Sequence, residues 1–331
     1  MTIQVSVVVP THGRPELLHR CLAALLRQAF DPAAYEIIVA DDAASPQTRQ
    51  VVDCIAAHAA AAGPHTALRY LPVTQAHGPA AARNAGWRAA RGQIVAFTDD
   101  DCLPEPGWLA AAWRIFNQDG SDDVAAASGC TRVPVPPIPT DYERNATGLG
   151  TAEFVTANCF CRRDVLAATG GFDERFTSAW REDSDLYFRL LEEGRRVVHA
   201  PDAVVVHPIR PAPWAISLRQ QRKSLFNALL YKKHPALYWR FIQPAPPWHY
   251  YRIVAALLAA GIGVLRGLRP VAAGGICAWL WMTARFCAGR LRGTSHAPGH
   301  VAEMIVTSAL IPPVAVFWRI RGAIKFRVVF L

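Results

Sequence analysis

The sequence predicts an α/β protein whose mostly parallel central sheet is flanked by helices, followed by a helical C-terminal region. Short apolar runs alternate with helical patterns through about the first hundred residues, the mark of strands joined by covering helices. The 331 residues are 52% apolar and 18% charged, which fits a folded chain long enough for two domains. The charge is divided unevenly: residues 1–207 hold 18 Lys+Arg against 25 Asp+Glu, whereas 208–331 hold 17 against the single acid Glu303. All four lysines (Lys223, Lys232, Lys233, Lys325) lie in the second part. Prolines cluster in "HPIRPAPW" (207–214), and the expected domains are therefore 1–210 and 211–331.

In order, "VSVVVP" (5–10) is a buried-strand candidate, and "RPELLHRCLAALLRQ" repeats Leu18, Cys21, Leu22 and Leu25 at helical spacing after Pro15, which suits a first turn. "EIIVAD" (36–41) is a second strand, and "VVDCIAAHAAAAG" a second helix expected to end at Gly63. "LRYLPV" (68–73) is a third strand, "GPAAARNAGWRAARG" (78–92) a helix opened by Pro79, and "QIVAFT" (93–98) a fourth strand. This order calls for parallel strands with helices on both faces.

Sheets of this kind bind ligands beyond the carboxyl ends of their strands. Two strands here end in acids, one in Asp41-Asp42 and one in Asp99-Asp100-Asp101. Crowded carboxylates repel, and a hard divalent cation such as Mg²⁺ or Mn²⁺ relieves that while keeping positions for substrate phosphates. No GxGxxG follows a strand and no GxxxxGK[ST] occurs, which argues against a dinucleotide oxidoreductase or a P-loop enzyme; "GIGVLRG" (261–267) lies in an apolar segment. The eight cysteines lack CxxC spacing and read as free thiols of a reducing compartment. "MTIQVSVVVP" has no basic leader and does not read as a signal peptide.

Four segments in register over about 3–207 resemble the family 2 glycosyltransferases, which have the GT-A fold. They are "VSVVVPTHGRPELLHRCLAALLRQ", "EIIVADDAAS", "GPAAARNAGWRAARGQIVAFTDDDCLPEPGWL" and "TANCFCRRDVLAATGGFDERFTSAWREDSDLYFRLLEEG". The resemblance implies that Pro10, Thr11 and Asp41 or Asp42 contact the donor nucleoside and that Arg83 lies near its diphosphate. It implies that Asp99 and Asp101 of the DXD motif face ribose and metal, Asp101 as principal ligand, with Asp100 replaceable and His207 a further metal ligand. Asp183 is the implied general base, with Asp185 a competing candidate, and Asn158, Trp180 and Glu182 border the sugar or acceptor pocket. Where the family usually has a glycine after the acid pair this chain reads "DDAASPQT", which leaves Asp41 and Asp42 both open. The implied reaction is metal-dependent, inverting transfer of a sugar from a nucleotide-diphosphate donor to a hydroxyl acceptor, a glycan or a lipid-linked molecule, in envelope polysaccharide or glycolipid synthesis. A sugar nucleotidyltransferase and a degenerate membrane-surface binding module are the alternatives; the first wants a glycine-rich first loop, and "PTHGRPELL" has one glycine.

The tail changes character. Uncharged stretches at 253–265 and 270–284, and 301–318 with Glu303 and Pro312-Pro313, fall short of the ~20 apolar residues of a comfortable membrane span. Flanking arginines and aromatics suit helices lying in one leaflet on anionic lipids, with a short transmembrane hairpin as the alternative. No nucleic-acid motif accompanies the basic residues. The expected location is the cytoplasmic face of a membrane, peripheral or monotopic.

Overall fold

The computed structural model describes residues 2–61 and 65–330. They form two compact units, one of residues 1–134 and 147–209, the other of 135–146 and 210–331. In chain order the elements of the first unit begin with β1 (Val5–Thr11), α1 (Pro15–Leu25), β2 (Tyr35–Asp41), α2 (Pro46–Ala61), β3 (Ala67–Pro72), α3 (Pro79–Ala89) and β4 (Ile94–Phe97). The expected end of α2 at Gly63 lies outside the described residues. The chain continues through β5 (Leu103–Pro104), α4 (Trp108–Asn117) and β6 (Val124–Arg132), enters the second unit for α5 (Asp141–Ala146), and returns for β7 (Cys159–Arg162), α6 (Arg163–Thr169), α7 (Glu182–Glu192) and β8 (Arg196–Val206).

The eight strands make one sheet in the order β3-β2-β1-β4-β7-β6-β8-β5. It is mostly parallel, as the alternation implies, but β7 runs against both neighbours and β5 against β8. The two-residue β5 follows the turn that carries Asp99–Asp101 and pairs with the end of β8 at the edge of the sheet. Apolar side chains cover both faces: Leu18, Leu22 and Leu25 of α1, Val52 of α2 and Trp108 of α4 on one, Trp87 of α3, Leu166 of α6 and Leu186 of α7 on the other. Pro15 and Pro79 each stand in the first turn of their helix, where a missing N–H costs nothing. A Cβ on Gly86 would meet Val8 at 2.3 Å, so glycine lets α3 sit down on β1.

The second unit is helical. After α5 come α8 (Ile216–Gln220), α9 (Leu225–Lys233) and the single turn α10 (Pro235–Leu237), which runs into a π-turn at Tyr238–Ile242; α11 (Trp248–Leu265), α12 (Arg269–Leu291) and α13 (Pro298–Phe326) follow. Here the structure corrects the expectation of short apolar segments. These three helices, of 18, 23 and 29 residues, are long and apolar enough to cross a membrane. Arginine is a good helix former, so the charges that interrupt the apolar count do not end the helices, and α13 runs straight through Pro312 and Pro313. Segment 135–146, which reads in sequence as part of the first region, is held in the second by a buried ion pair, Asp141 with Arg290 of α12 at 2.8 Å. The same guanidinium donates to Thr307 Oγ1 (2.7 Å) and Ser308 Oγ (3.1 Å) of α13.

Candidate active site

β1, β2, β4 and β8 all end on one edge of the sheet, and each delivers a polar group there. At the end of β2 the two acids divide their work. Asp41 is fully buried, and its carboxylate accepts from Ala43 N (3.0 Å), Ser45 N (2.7 Å) and Tyr70 Oη (3.0 Å). It builds the loop. Ala44 within that loop takes the left-handed backbone (φ 47) that a glycine would adopt at no cost. Asp42 instead stands partly open, accepting from Gly78 N at 3.0 Å, with His77 Nδ1 at 3.1 Å and His12 Nδ1 at 3.5 Å, both rings exposed. Asp42 is thus the acid of this pair able to meet a nucleoside.

The three acids after β4 point three ways. Asp100 is buried, accepting from Thr11 Oγ1 (2.7 Å) and from Arg14 Nη1 (3.1 Å), and burial pushes its pKa up. This corrects two expectations: Asp100 is a tether between β1 and the acidic turn, not a spare acid, and the Thr11 hydroxyl is spent on it. Pro10 is likewise buried, within β1 opposite Ala40. Asp99 accepts from Arg83 Nη2 at 2.7 Å, and Arg83 Nη1 donates to Glu182 Oε1 of α7 at 2.9 Å. Arg83 is 2% exposed, so its guanidinium lies beneath the surface and not on it. Burial disfavours its charge, but Asp99 and Glu182 outweigh that and raise its pKa.

Asp101 meets the end of β8. Antiparallel pairing of Leu103 with Val206 sets the residues before and after it side by side, so His207 Nε2 lies 3.6 Å from Asp101 Oδ1. Cys102 Sγ completes a group whose donor atoms all lie within 4.8 Å of one another. Burial pushes the Cys102 thiol well up, which leaves the carboxylate and imidazole as the readier donors. His207 Nδ1 is buried with no hydrogen-bond partner among the described residues. One carboxylate and one imidazole at this separation, with Asp99 two residues away, suit a divalent cation.

On α7, Glu182 is buried and Asp183 half-buried. Asp183 Oδ1 accepts from Ser184 N at 2.6 Å, and burial raises its pKa. Burial likewise pushes Glu182 up to about 7, against the pull of Arg83, and its Oε2 is left without a partner among the described residues. Asp185, the competing base, is fully buried and pairs with Arg189 at 3.0 Å. Trp180 is exposed, with the Arg181 guanidinium 4.4 Å above its ring. Glu182, expected in the acceptor pocket, instead faces Arg83. Asn158 is also corrected. It is fully buried; its amide donates to Cys130 O (3.0 Å) and Ala203 O (2.9 Å), and its oxygen accepts from Trp108 Nε1 (2.8 Å). It seals the irregularity where β6 and β8 slip register after Gly129, whose missing Cβ gives it room.

Several contributors lie outside the expected set. His12 and His77 flank Asp42, Arg14 steadies Asp100, and Asn84 bonds Phe172 through its amide and its oxygen (2.8 and 2.9 Å), pinning the Gly170-Gly171 turn. Gly171 has φ 75, and a Cβ there would meet Trp87 Nε1 at 2.3 Å. The "RN" of α3 was the available signal, since an arginine and an asparagine side by side in an otherwise small-residue helix need buried partners.

Residues 6–168 match the family profile "Glycosyl transferase family 2", and residues 143–316 match "Glycosyl transferase family group 2". The chain is 29% identical over 218 residues to glycosyltransferase AglE of Haloferax volcanii, covering 62% of this chain and 67% of that one. It is 30% identical over 219 residues to the pre-mycofactocin glycosyltransferase of Mycobacterium tuberculosis, covering 62% of this chain but 43% of that relative. The chain therefore spans less than half the length of this second relative. The fold resembles a mannosyltransferase of Pyrobaculum calidifontis, solved with GDP-Man and Mn²⁺, at a TM-score of 0.58 and 20% identity over 99% of this chain and 88% of that one.

Proposed function

The chain belongs to the family 2 glycosyltransferases, and from that premise we propose that it moves a sugar, with inversion, from a nucleotide-diphosphate donor to a hydroxyl acceptor with the help of Mg²⁺ or Mn²⁺. The observation that carries this reading is the approach of Asp101 to His207 at the same sheet edge as Asp99 and Asp42. The Mn²⁺ and GDP-Man in the structural relative's description support it.

Asp42 receives the nucleoside, with the His12 and His77 rings beside it. Asp99, Asp101 and His207 hold the cation, which when bound offsets negative charge on the departing diphosphate. Asp183 takes the proton of the acceptor hydroxyl as the new bond forms at the anomeric carbon. Its raised pKa makes it a stronger base than an ordinary aspartate. Arg83 ties the metal side to the base side, because it grips Asp99 and the residue preceding Asp183 together. Trp180 offers an exposed ring to a sugar face.

The three apolar helices allow membrane association, and relatives named for O-antigen and succinoglycan synthesis work in the cell envelope. The enzyme on this reading acts at the cytoplasmic face, beside anionic lipid, on a glycan or a lipid-linked acceptor.

A panel of nucleotide sugars tests this by thermal shift and turnover, with Mn²⁺ present and absent. At least one donor is expected to bind more tightly with the ion and to be consumed. If every nucleotide diphosphate binds equally with and without it, the metal-dependent reading falls.

A further inference from the structure

α11 and α12 form one antiparallel hairpin whose register is fixed at three levels. A Cβ on Gly263 would lie 2.4 Å from Ala272 N, and one on Gly275 would lie 2.5 Å from Ala260 N. Farther back, the Tyr250 and Phe286 rings meet edge-on at 5.6 Å. Each step back along α11 is matched by an equal step forward along α12, so the arms stay in register from the turn to Tyr250. Glycine and alanine at the seam let the backbones touch, the packing that helices use where surrounding hydrocarbon removes any hydrophobic drive to associate.

This register sets the uncharged stretches 253–265 and 270–284 level with one another. Arg266 and Arg269 sit at the turn, and Arg252, Arg285, Arg290 and Arg292 at the open end. At 1.5 Å per residue the stretches measure about 20 and 22 Å. Extended arginine side chains reaching outward about 5 Å at each end bring them to the ~30 Å of a bilayer's hydrocarbon. The outward faces are apolar and bare: Leu258 is 60% exposed, Ile262 55%, Leu265 86% and Trp281 67%. Trp248, Tyr250 and Tyr251 gather at the open end, the depth that aromatic residues favour at a membrane boundary. α13 does not lengthen the hairpin, because its polar contacts fall at the open end: Thr307 Oγ1 accepts from Arg290 at 2.7 Å, and Arg319 Nε donates to Tyr251 Oη at 3.3 Å.

We propose that the α11–α12 hairpin crosses a bilayer completely, its Arg266/Arg269 turn in the headgroup layer opposite the one that receives the exposed Arg252, Arg285 and Arg292. Hydrocarbon covers the bare faces, and lipid phosphates meet the exposed arginines at both ends, while Arg290 stays paired with Asp141 inside the unit. The open end holds more arginine than the turn and therefore faces the cytoplasm. The proposal rests on the membrane reading above and adds depth and direction to it.

The full-length chain carrying Leu268→Cys at the turn is treated with a membrane-impermeant maleimide in right-side-out and inside-out vesicles, and labelling is read site by site by mass spectrometry. Exposed Cys54 of the first unit reports the catalytic side, and Cys277, exposed within the uncharged stretch, reports immersion. Leu268→Cys is expected to react only in the vesicles in which Cys54 does not, with Cys277 silent in both. Reaction on the side of Cys54, or on neither side, overturns the crossing while leaving membrane attachment standing. Release of the protein by alkaline washing overturns the membrane reading itself, and release as a discrete oligomer assigns the bare faces to a second copy. Leu258→Arg, which disturbs no internal packing, is expected to cut membrane-integrated protein by about tenfold or more; unchanged integration also overturns the proposal.

Discussion

Each unit of this protein buries an arginine against acids, and the two are served differently. Arg290 in the helical unit meets one carboxylate, Asp141, and fills its remaining donors with the hydroxyls of Thr307, Ser308 and Ser217. Every nitrogen is used. Arg83 in the catalytic unit meets two carboxylates, feels a third from Asp183, and leaves Nε unpartnered among the described residues. Around Arg290 every donor is satisfied and Asp141 is gripped by Arg144 as well (3.2 Å), as suits a buried ion pair that fastens a segment. Around Arg83 acidic groups outnumber the guanidinium, which is tolerable at a site that, as proposed, receives a cation and holds a base ready.

The comparison breaks first at Asp183. Asp183→Asn is expected to lower turnover by about 10²- to 10⁴-fold with the unfolding temperature unchanged; an unaltered rate would reduce the acidic edge to a binding surface. Next, Arg290→Met leaves buried Asp141 with Arg144, at 3.2 Å, as its ion-pair partner and is expected to destabilise the protein by about 1–3 kcal/mol in denaturant titration. Adding Asp141→Leu is expected to restore most of that loss, because a purely structural pair can be exchanged for apolar contact. No such rescue is expected at the other arginine: Arg83→Lys keeps the charge but not the fork, and kcat is expected to fall about 10- to 100-fold with a smaller change in stability.

Acidity sharpens the contrast further. As the proposed base, Asp183 would have to be ionised to accept a proton, and burial raises its pKa, so activity should fall with decreasing pH at values above the ordinary aspartate range near 4. Glu182, pushed up to about 7, holds a proton in the folded protein that the unfolded chain releases above 4.5. The folded state is therefore favoured at low pH and loses that advantage as pH rises from 4.5 to about 7. Glu182→Gln is expected to flatten this dependence in pH-resolved melting curves. The smallest effect separates neighbours: Asp42→Asn should raise the donor KM about tenfold with kcat held, whereas Asp41→Asn should cost about 1–3 kcal/mol of stability, because a buried loop cap is lost.

The strand ends and their acids were legible because a run such as "IVAFTDDD" carries its own meaning: apolar alternation stops and charge begins. What each acid does was not legible. Asp41 and Asp42 differ only in which way a strand end points, and Asp99, Asp100 and Asp101 differ by partners from β1, α3 and β8 that local pattern does not reveal. The family resemblance puts Asn158 at the pocket, yet in the fold it closes a slip between two strands distant in sequence. In the tail, counting uncharged residues understated the helices, since arginines end an apolar run without ending a helix. The capture of 135–146 by the helical unit was hidden for the same reason as the sheet's antiparallel strands: both depend on pairing across long sequence distances.

The two-residue strand β5 has a consequence for how the molecule comes to be folded. Asp101 and His207 are brought together only by its pairing with the end of β8, about a hundred residues later in the chain. An ion held by both, as proposed, would close that long loop and would bind the finished catalytic unit in preference to any partly made one. The metal would thus act on the chain before any sugar arrives, fastening the end of late-synthesised β8 to the edge strand β5, and a polypeptide stopped short of His207 would lack that link.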